Sequence, residues 1–216
     1  MVLAAAREDK PTVAVILMFL AVFLFTLIDS SAKWLILYGL PAVQVIFARY
    51  CGAFLVLILL FIPRGGLHQF VSNNPKLQFS RAIALLGGTT FNFLALQFLP
   101  ITTTIAIFFA MPLVITVLGY FILGEKVGFR RFAAVFVGFL GVLIIIQPWG
   151  EDFHWAMILS VASLFCASSY FVLTRLLAGQ DNNSTSQLWS SGVATFAIAP
   201  FALQNWHWPQ TNIGFC

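Results

Sequence analysis

Seven predominantly apolar stretches, each near the ~20 residues that a helix needs to cross a bilayer, follow one another along the chain. They lie at roughly 12–37, 42–62, 81–99, 102–123, 131–148, 154–177 and 187–204. Turn chemistry separates them: Gly39-Leu40-Pro41, Pro63-Arg64-Gly65-Gly66, Pro100, Gly124 to Gly128, Pro148 to Gly150, and Gly179 to Ser184. Connections this short make successive spans antiparallel neighbours and leave no length for a soluble domain. The pattern predicts an all-α polytopic transmembrane helical bundle. Composition agrees, because a chain 61% hydrophobic and 8% charged, with 24 Phe in 216 residues, has too little polar surface to cover a water-soluble core.

The basic residues orient the bundle. Arg7 and Lys10, then Arg64, Lys76 and Arg81, then Lys126, Arg130 and Arg131, then Arg175 fall in alternate segments, while the intervening turns carry none. The positive-inside rule then predicts a cytoplasmic N-terminus. Trp34, Trp149, Trp155, Trp206 and Trp208 fall at the outer ends of spans, where an interfacial aromatic belt belongs. Residues 1–11 form a short polar segment, and the apolar run after them has no A-x-A-like cleavage site, so the first span is expected to be retained. The net charge of +4 is spread over short loops and makes no basic face, which argues against nucleic acid as a partner. Cys51, Cys166 and Cys216 offer neither a disulfide framework nor a metal-binding CxxC.

Three charges lie inside or against the spans: Asp29, Lys33 and Arg49. A charge at the bilayer centre costs ~2.5–3.5 kcal/mol on insertion scales, so it is normally held against a partner or a wet cavity. Asp29 and Lys33 are four residues apart on one helix face. Arg49 sits some seven residues into the second span, which puts it at a depth comparable with Asp29 by the ~1.5 Å rise per residue. Lys33 can snorkel toward the outer interface. Two readings of the Asp29–Arg49 pair stay open. One is a static brace between the first two helices. In the other, Arg49 binds an anionic group of a substrate, with Asp29 as counter-charge or proton acceptor, since a guanidinium stays protonated and offers forked donors.

Shifting the chain by 140 residues lays the first two spans on the sixth and seventh. Leu24-Phe25 then meets Leu164-Phe165, and Gly39, Gly52, Ile58 and Phe61 meet Gly179, Gly192, Ile198 and Phe201. The paired spans run in opposite directions, the arrangement of inverted-repeat transporters that hold substrate between their halves. The same offset puts Trp189 opposite Arg49, an aromatic able to stack a planar substrate. Asn92, Gln97 and Tyr170 add neutral hydrogen-bonding groups within the spans. Structural or gating roles are open to Lys33, to Pro112, which removes a helix hydrogen bond, to Thr116 one turn later, and to Glu125, which can interact with Arg130 or Arg131. Gly87, Gly88, Gly138 and Gly141 supply small faces for close helix packing.

Leu99-Pro100-Ile101-Thr102-Thr103-Thr104, Met111-Pro112-Leu113, Leu123-Gly124-Glu125-Lys126, Gly138-Phe139-Leu140-Gly141-Val142 and Gln147-Pro148 together resemble the EamA-type drug/metabolite transporter superfamily. Residues 12–63 are similar to it in pattern, through Asp29, Ala32-Lys33, Pro41, Gln44 and Arg49, and 154–204 more loosely. The resemblance implies ten helices in two inverted five-helix repeats. Residues 12–148 would then be one complete repeat and 154–204 the first two helices of a second, incomplete one, followed by an outward-facing tail, 205–216. Trp206-His207-Trp208-Pro209 in that tail reads like a turn into a further helix.

The chain has no GxxxxGK[ST] loop, no HExxH, no GxSxG elbow and no pair of intramembrane aspartates, so an enzyme is not expected. A retinal protein would need a lysine in the seventh span, which has none. The expectation is a multi-pass protein of the cell inner membrane that acts as a secondary transporter of a small metabolite, without a cofactor. Its partners would be a small-molecule substrate and the lipid bilayer, with a homodimer left open. The alternatives are a truncated fragment that does not transport, or a seven-helix receptor-like or scaffolding protein.

Overall fold

A computed structural model describes residues 11–124, 128–147, 154–204 and 206. The expectations for residues 1–10, Glu125 and Lys126, Trp149, and the tail beyond Trp206 lie outside the described residues. Within them the chain is all-α. Its helices are α1 (Pro11–Leu37), α2 (Ala42–Gly65), α3 (Pro75–Phe98), α4 (Ile101–Phe108), α5 (Met111–Leu123), α6 (Phe129–Ile146), α7 (Ala156–Leu177) and α8 (Asn183–Gln204). A short 3₁₀ helix, Leu67–Phe70, joins α2 to α3. Five stretches are long and apolar enough to cross a membrane, α4 and α5 counting as one. The chain is a polytopic membrane protein, as its hydropathy pattern predicts.

Each apolar stretch becomes a helix because every backbone N–H and C=O must be satisfied internally where no water is available. Their outward faces stay apolar: Phe19, Leu59, Phe121 and Phe196 are all exposed to what would be lipid. The α1–α2 turn follows from its residues. Gly39 takes a φ of +90°, its N–H bonds Ile36 O at 3.0 Å, and the Leu40 N–H bonds Leu35 O at 3.2 Å. That is the left-handed helix end that glycine allows, and Pro41 then precedes the first turn of α2.

α3 is the central helix. One buried cluster joins it to α1, α2 and α8 through Ala32, Ile46, Tyr50, Phe93, Leu96, Ala194 and Ile198. A second joins it to α4 and α7 through Ala95, Leu99, Ile107, Ala156 and Leu164. α3 packs most extensively on α7, and α2 on α8. Small residues set the α3–α7 approach: a Cβ on Gly88 would lie 3.3 Å from Ala167 N, and the Ser163 hydroxyl donates to Gly88 O at 2.6 Å. Gly138 packs against Leu113, whereas a Cβ on Gly141 would meet nothing within 4 Å.

Three boundaries differ from the hydropathy reading. α3 begins at Pro75 instead of near 81, and α8 at Asn183 instead of near 187. Their first turns are polar, and hydropathy discards them although their side chains bond one another. The span expected over 102–123 is broken at Phe109-Ala110, since Pro112 has no N–H to continue the ladder. Phe109 and Ala110 keep near-helical angles, so the break is a bend.

Candidate functional site

A cavity of about 730 Å³ lies between the C-terminal half of α1, the first turns of α2, and α3. Gln44 and Ala48, like Val45 and Arg49, are four residues apart, so α2 turns one face toward it. Leu24, Ile28, Ala32 and Leu35 of α1 form the facing wall, with Phe93 of α3 and Trp206 closing it. Arg49 lies over two rings, 5.6 Å from the Phe93 centroid and 5.8 Å from that of Tyr50. A guanidinium on an aromatic face keeps part of its stabilisation without a carboxylate, and its N–H fork stays available. Trp206 sets its ring edge-on to Phe47 at 6.4 Å.

Asp29 is half-buried on α1, close enough to Arg49 for the two charges to attract. It does not line the cavity, and among the described residues no contact ion pair joins the two. The Lys33 side chain is half-buried and reaches the C-terminal end of α3. Its ammonium donates to Leu96 O and, at 2.9 Å, to Leu99 O at the end of α3. The cause is Pro100: the helix partner of Leu96 O would be the N–H of residue 100, which proline lacks. Lys33 supplies the missing donor, and its charge suits a helix C-terminus.

The remaining predicted residues are dispersed. Asn92, next to Phe93, has a buried Oδ1 without a protein partner. Gln97 is half-buried farther along α3. Trp189 does not stand opposite Arg49. Its indole N–H donates to Phe70 O at 3.0 Å, and its ring lines a separate apolar cavity with Phe54, Phe79 and Phe196. The offset that pairs the two positions in sequence therefore does not bring them to one cavity. Pro112 opens α5, and the Thr116 hydroxyl donates back to Pro112 O at 2.8 Å, within its own helix. Glu125 lies outside the described residues.

Tyr170 belongs to a polar constellation that also draws in Gln78, Asp181 and Ser186, which the hydropathy reading left in loops. Arg81 is 2% exposed. Its Nε donates to Thr174 Oγ1 at 2.8 Å, one Nη to Ser186 O at 2.8 Å and Ser190 Oγ at 2.7 Å, and the other Nη to Tyr170 OH at 2.8 Å. The guanidinium also lies 4.6 Å from the Tyr170 ring centroid. One turn away, Gln78 Nε2 donates to Asp181 Oδ2 and Ser186 Oγ. Asp181 also accepts from the Ser72 hydroxyl and, at 2.9 Å, from Asn73 N–H. Burial alone would raise the Asp181 pKa, but the hydrogen bonds from Ser72, Gln78 and Asn73 outweigh it and hold the carboxyl below its ordinary range. Helical spacing is the signal that was missed: Gln78 and Arg81, Tyr170 and Thr174, and Ser186 and Ser190 are polar pairs three or four apart on three different helices.

Residues 12–147 match the EamA-like transporter family. The chain is 30% identical over 186 residues to a riboflavin transporter of Rhizobium johnstonii, covering 86% of this chain and 61% of that protein. It is 31% identical over 213 residues to a riboflavin transporter of Vibrio cholerae, covering 94% and 69%. With an S-adenosylmethionine uptake transporter of Rickettsia prowazekii it shares 26% over 196 residues, covering 88% and 65%. The chain thus spans roughly two thirds of the length of these curated relatives. No solved structure matches it.

Proposed function

Since this chain belongs to the EamA-like transporter family, we propose that it moves a small metabolite across the cytoplasmic membrane as a secondary transporter, with the Arg49 cavity as its substrate site. The observation that carries this reading is a membrane-embedded cavity of about 730 Å³ holding one guanidinium against aromatic rings. A cavity of this size is in the range that binds small molecules.

Riboflavin and S-adenosylmethionine, which name the relatives' cargoes, are both flat nitrogen heterocycles carrying a polar tail. A ring of that kind stacks on Phe93 and Trp206, and Arg49 donates to the carbonyl oxygens of a flavin ring or to the carboxylate on the tail of S-adenosylmethionine. Asp29 supplies the counter-charge, whereas Asn92, whose buried Oδ1 lies beside Phe93 but outside the cavity lining, would reach substrate only after a conformational change. Gln97, Tyr170 and Trp189, which lie away from this cavity, would contact substrate only in another conformation. Residues 12–148 and 154–204 are read as two inverted units. Supporting that, α2 and α8, which the 140-residue offset equates, pack on each other. The positive-inside rule puts the N-terminus and the Arg81 end of the bundle in the cytoplasm.

The test is uptake of labelled riboflavin and labelled S-adenosylmethionine into proteoliposomes holding the full chain. The expected result is saturable uptake of one of them that Arg49→Ala abolishes while insertion stays normal. Uptake of neither, or undiminished uptake by Arg49→Ala, would sink the reading. Equal misfolding of Arg49→Ala and Asp29→Ala would make the pair a brace.

A further inference from the structure

We infer that the Arg81 cluster is the lock that keeps the cavity shut at the basic end of the bundle, and that it must release for the cavity to reach that side. This rests on the transport reading and goes beyond it by naming the residues that set sidedness.

Placement comes first. The cavity is lined from the second half of α1, the first turns of α2, and Phe93, all toward one end of the bundle. The cluster uses the opposite end: Gln78 and Arg81 in the first two turns of α3, Tyr170 and Thr174 in the last two of α7, and Ser186 and Ser190 in the first two of α8. Between them runs a file of polar groups. The Tyr50 ring carries Arg49 on one side of the file, and its hydroxyl bonds Thr89 Oγ1 at 2.7 Å and reaches Leu85 O at 3.3 Å. Tyr170 is within electrostatic reach of that hydroxyl and is itself held by Arg81.

The chemistry of the seal comes second. At this end a buried cation joins the helices, bonded by two hydroxyls, a phenol and a carbonyl. Among the described residues no carboxylate bonds the Arg81 guanidinium. Breaking an ion pair at this depth would strand two charges, whereas releasing Arg81 leaves one cation and several neutral groups that water can satisfy. All four bonds run from α3 to α7 or α8, so one residue ties three helices and its release separates them together. A closure of this kind is firm and reversible.

The test reads sidedness and needs no substrate. In the full chain with Cys51, Cys166 and Cys216 replaced by serine, a cavity-lining Ala48→Cys is labelled with a membrane-impermeant maleimide in vesicles of each orientation. With Arg81 present, labelling comes from the cavity side. Arg81→Gln should raise labelling from the basic side about tenfold or more, the scale of one lost charge-assisted hydrogen bond. Arg81→Lys, which keeps the charge without the fork, should fall between. Where Arg81→Gln does not accumulate, Thr174→Val and Ser190→Ala carry the same comparison with one bond removed each. Unchanged sidedness in inserted variants would overturn the lock, since a purely structural role changes the amount of folded protein and not the side from which Ala48→Cys is reached. A shift in sidedness without uptake of either metabolite would uphold the lock and reject the substrate reading alone.

Discussion

A lysine ammonium ending a helix on another strand of the fold ties two elements through one atom. Lys33 does this for α3 because Pro100 leaves Leu96 O without its helix partner. Lys33→Met keeps the apolar stem and removes the donor. It should destabilise the protein by about 1–3 kcal/mol, the cost of a buried carbonyl left unsatisfied, and Lys33→Arg should recover most of that. The midpoint of unfolding in denaturing detergent checks both. This residue also shows how far the sequence could be read. Asp29 and Arg49 could be proposed as a pair because their depths follow from counting residues, although among the described residues no contact ion pair joins them. The partner of Lys33 was not visible, because a backbone carbonyl freed by a proline 67 positions later leaves no mark in a search for opposite charges. Arg81 was missed for a related reason: standing just before an apolar run, it looks like a loop cation until its neutral partners on two other helices are known.

Among the elements, the contact between α3 and α7 organises the bundle, and small residues permit it. A Cβ on Gly88 would already press on the Ala167 backbone at 3.3 Å. Gly88→Val should therefore force the helices apart at a cost of about 1–3 kcal/mol, the usual penalty of overpacking. Gly141→Val should be tolerated, since a Cβ there meets nothing within 4 Å. The monodisperse fraction on size exclusion in mild detergent separates the two. The helices themselves were legible from apolar length alone. Their starts were not where polar first turns pair across the bundle, as at Gln78 and Arg81 of α3 and Ser186 of α8. A hydropathy window treats such turns as solvent-facing, and the structure buries them.

At the scale of the whole molecule, one exposed amine reports orientation. Lys76 stands exposed in the first turn of α3, at the basic end. An impermeant amine reagent should modify its peptide in inside-out vesicles and leave it untouched in sealed right-side-out ones, and the reverse result would invert the topology. The attachment of α1 has a mechanical corollary. Within the described residues its buried position is Ala32, beside Lys33, while residues 15–28 stand exposed. Held near one end, the helix is a lever. From Lys33 back to Pro11 it extends roughly 33 Å at 1.5 Å per residue, so a tilt of about 10° at the fulcrum sweeps the far tip through ~6 Å. The same tilt carries Leu24, at the far edge of the cavity wall from the grip, through about 2 Å.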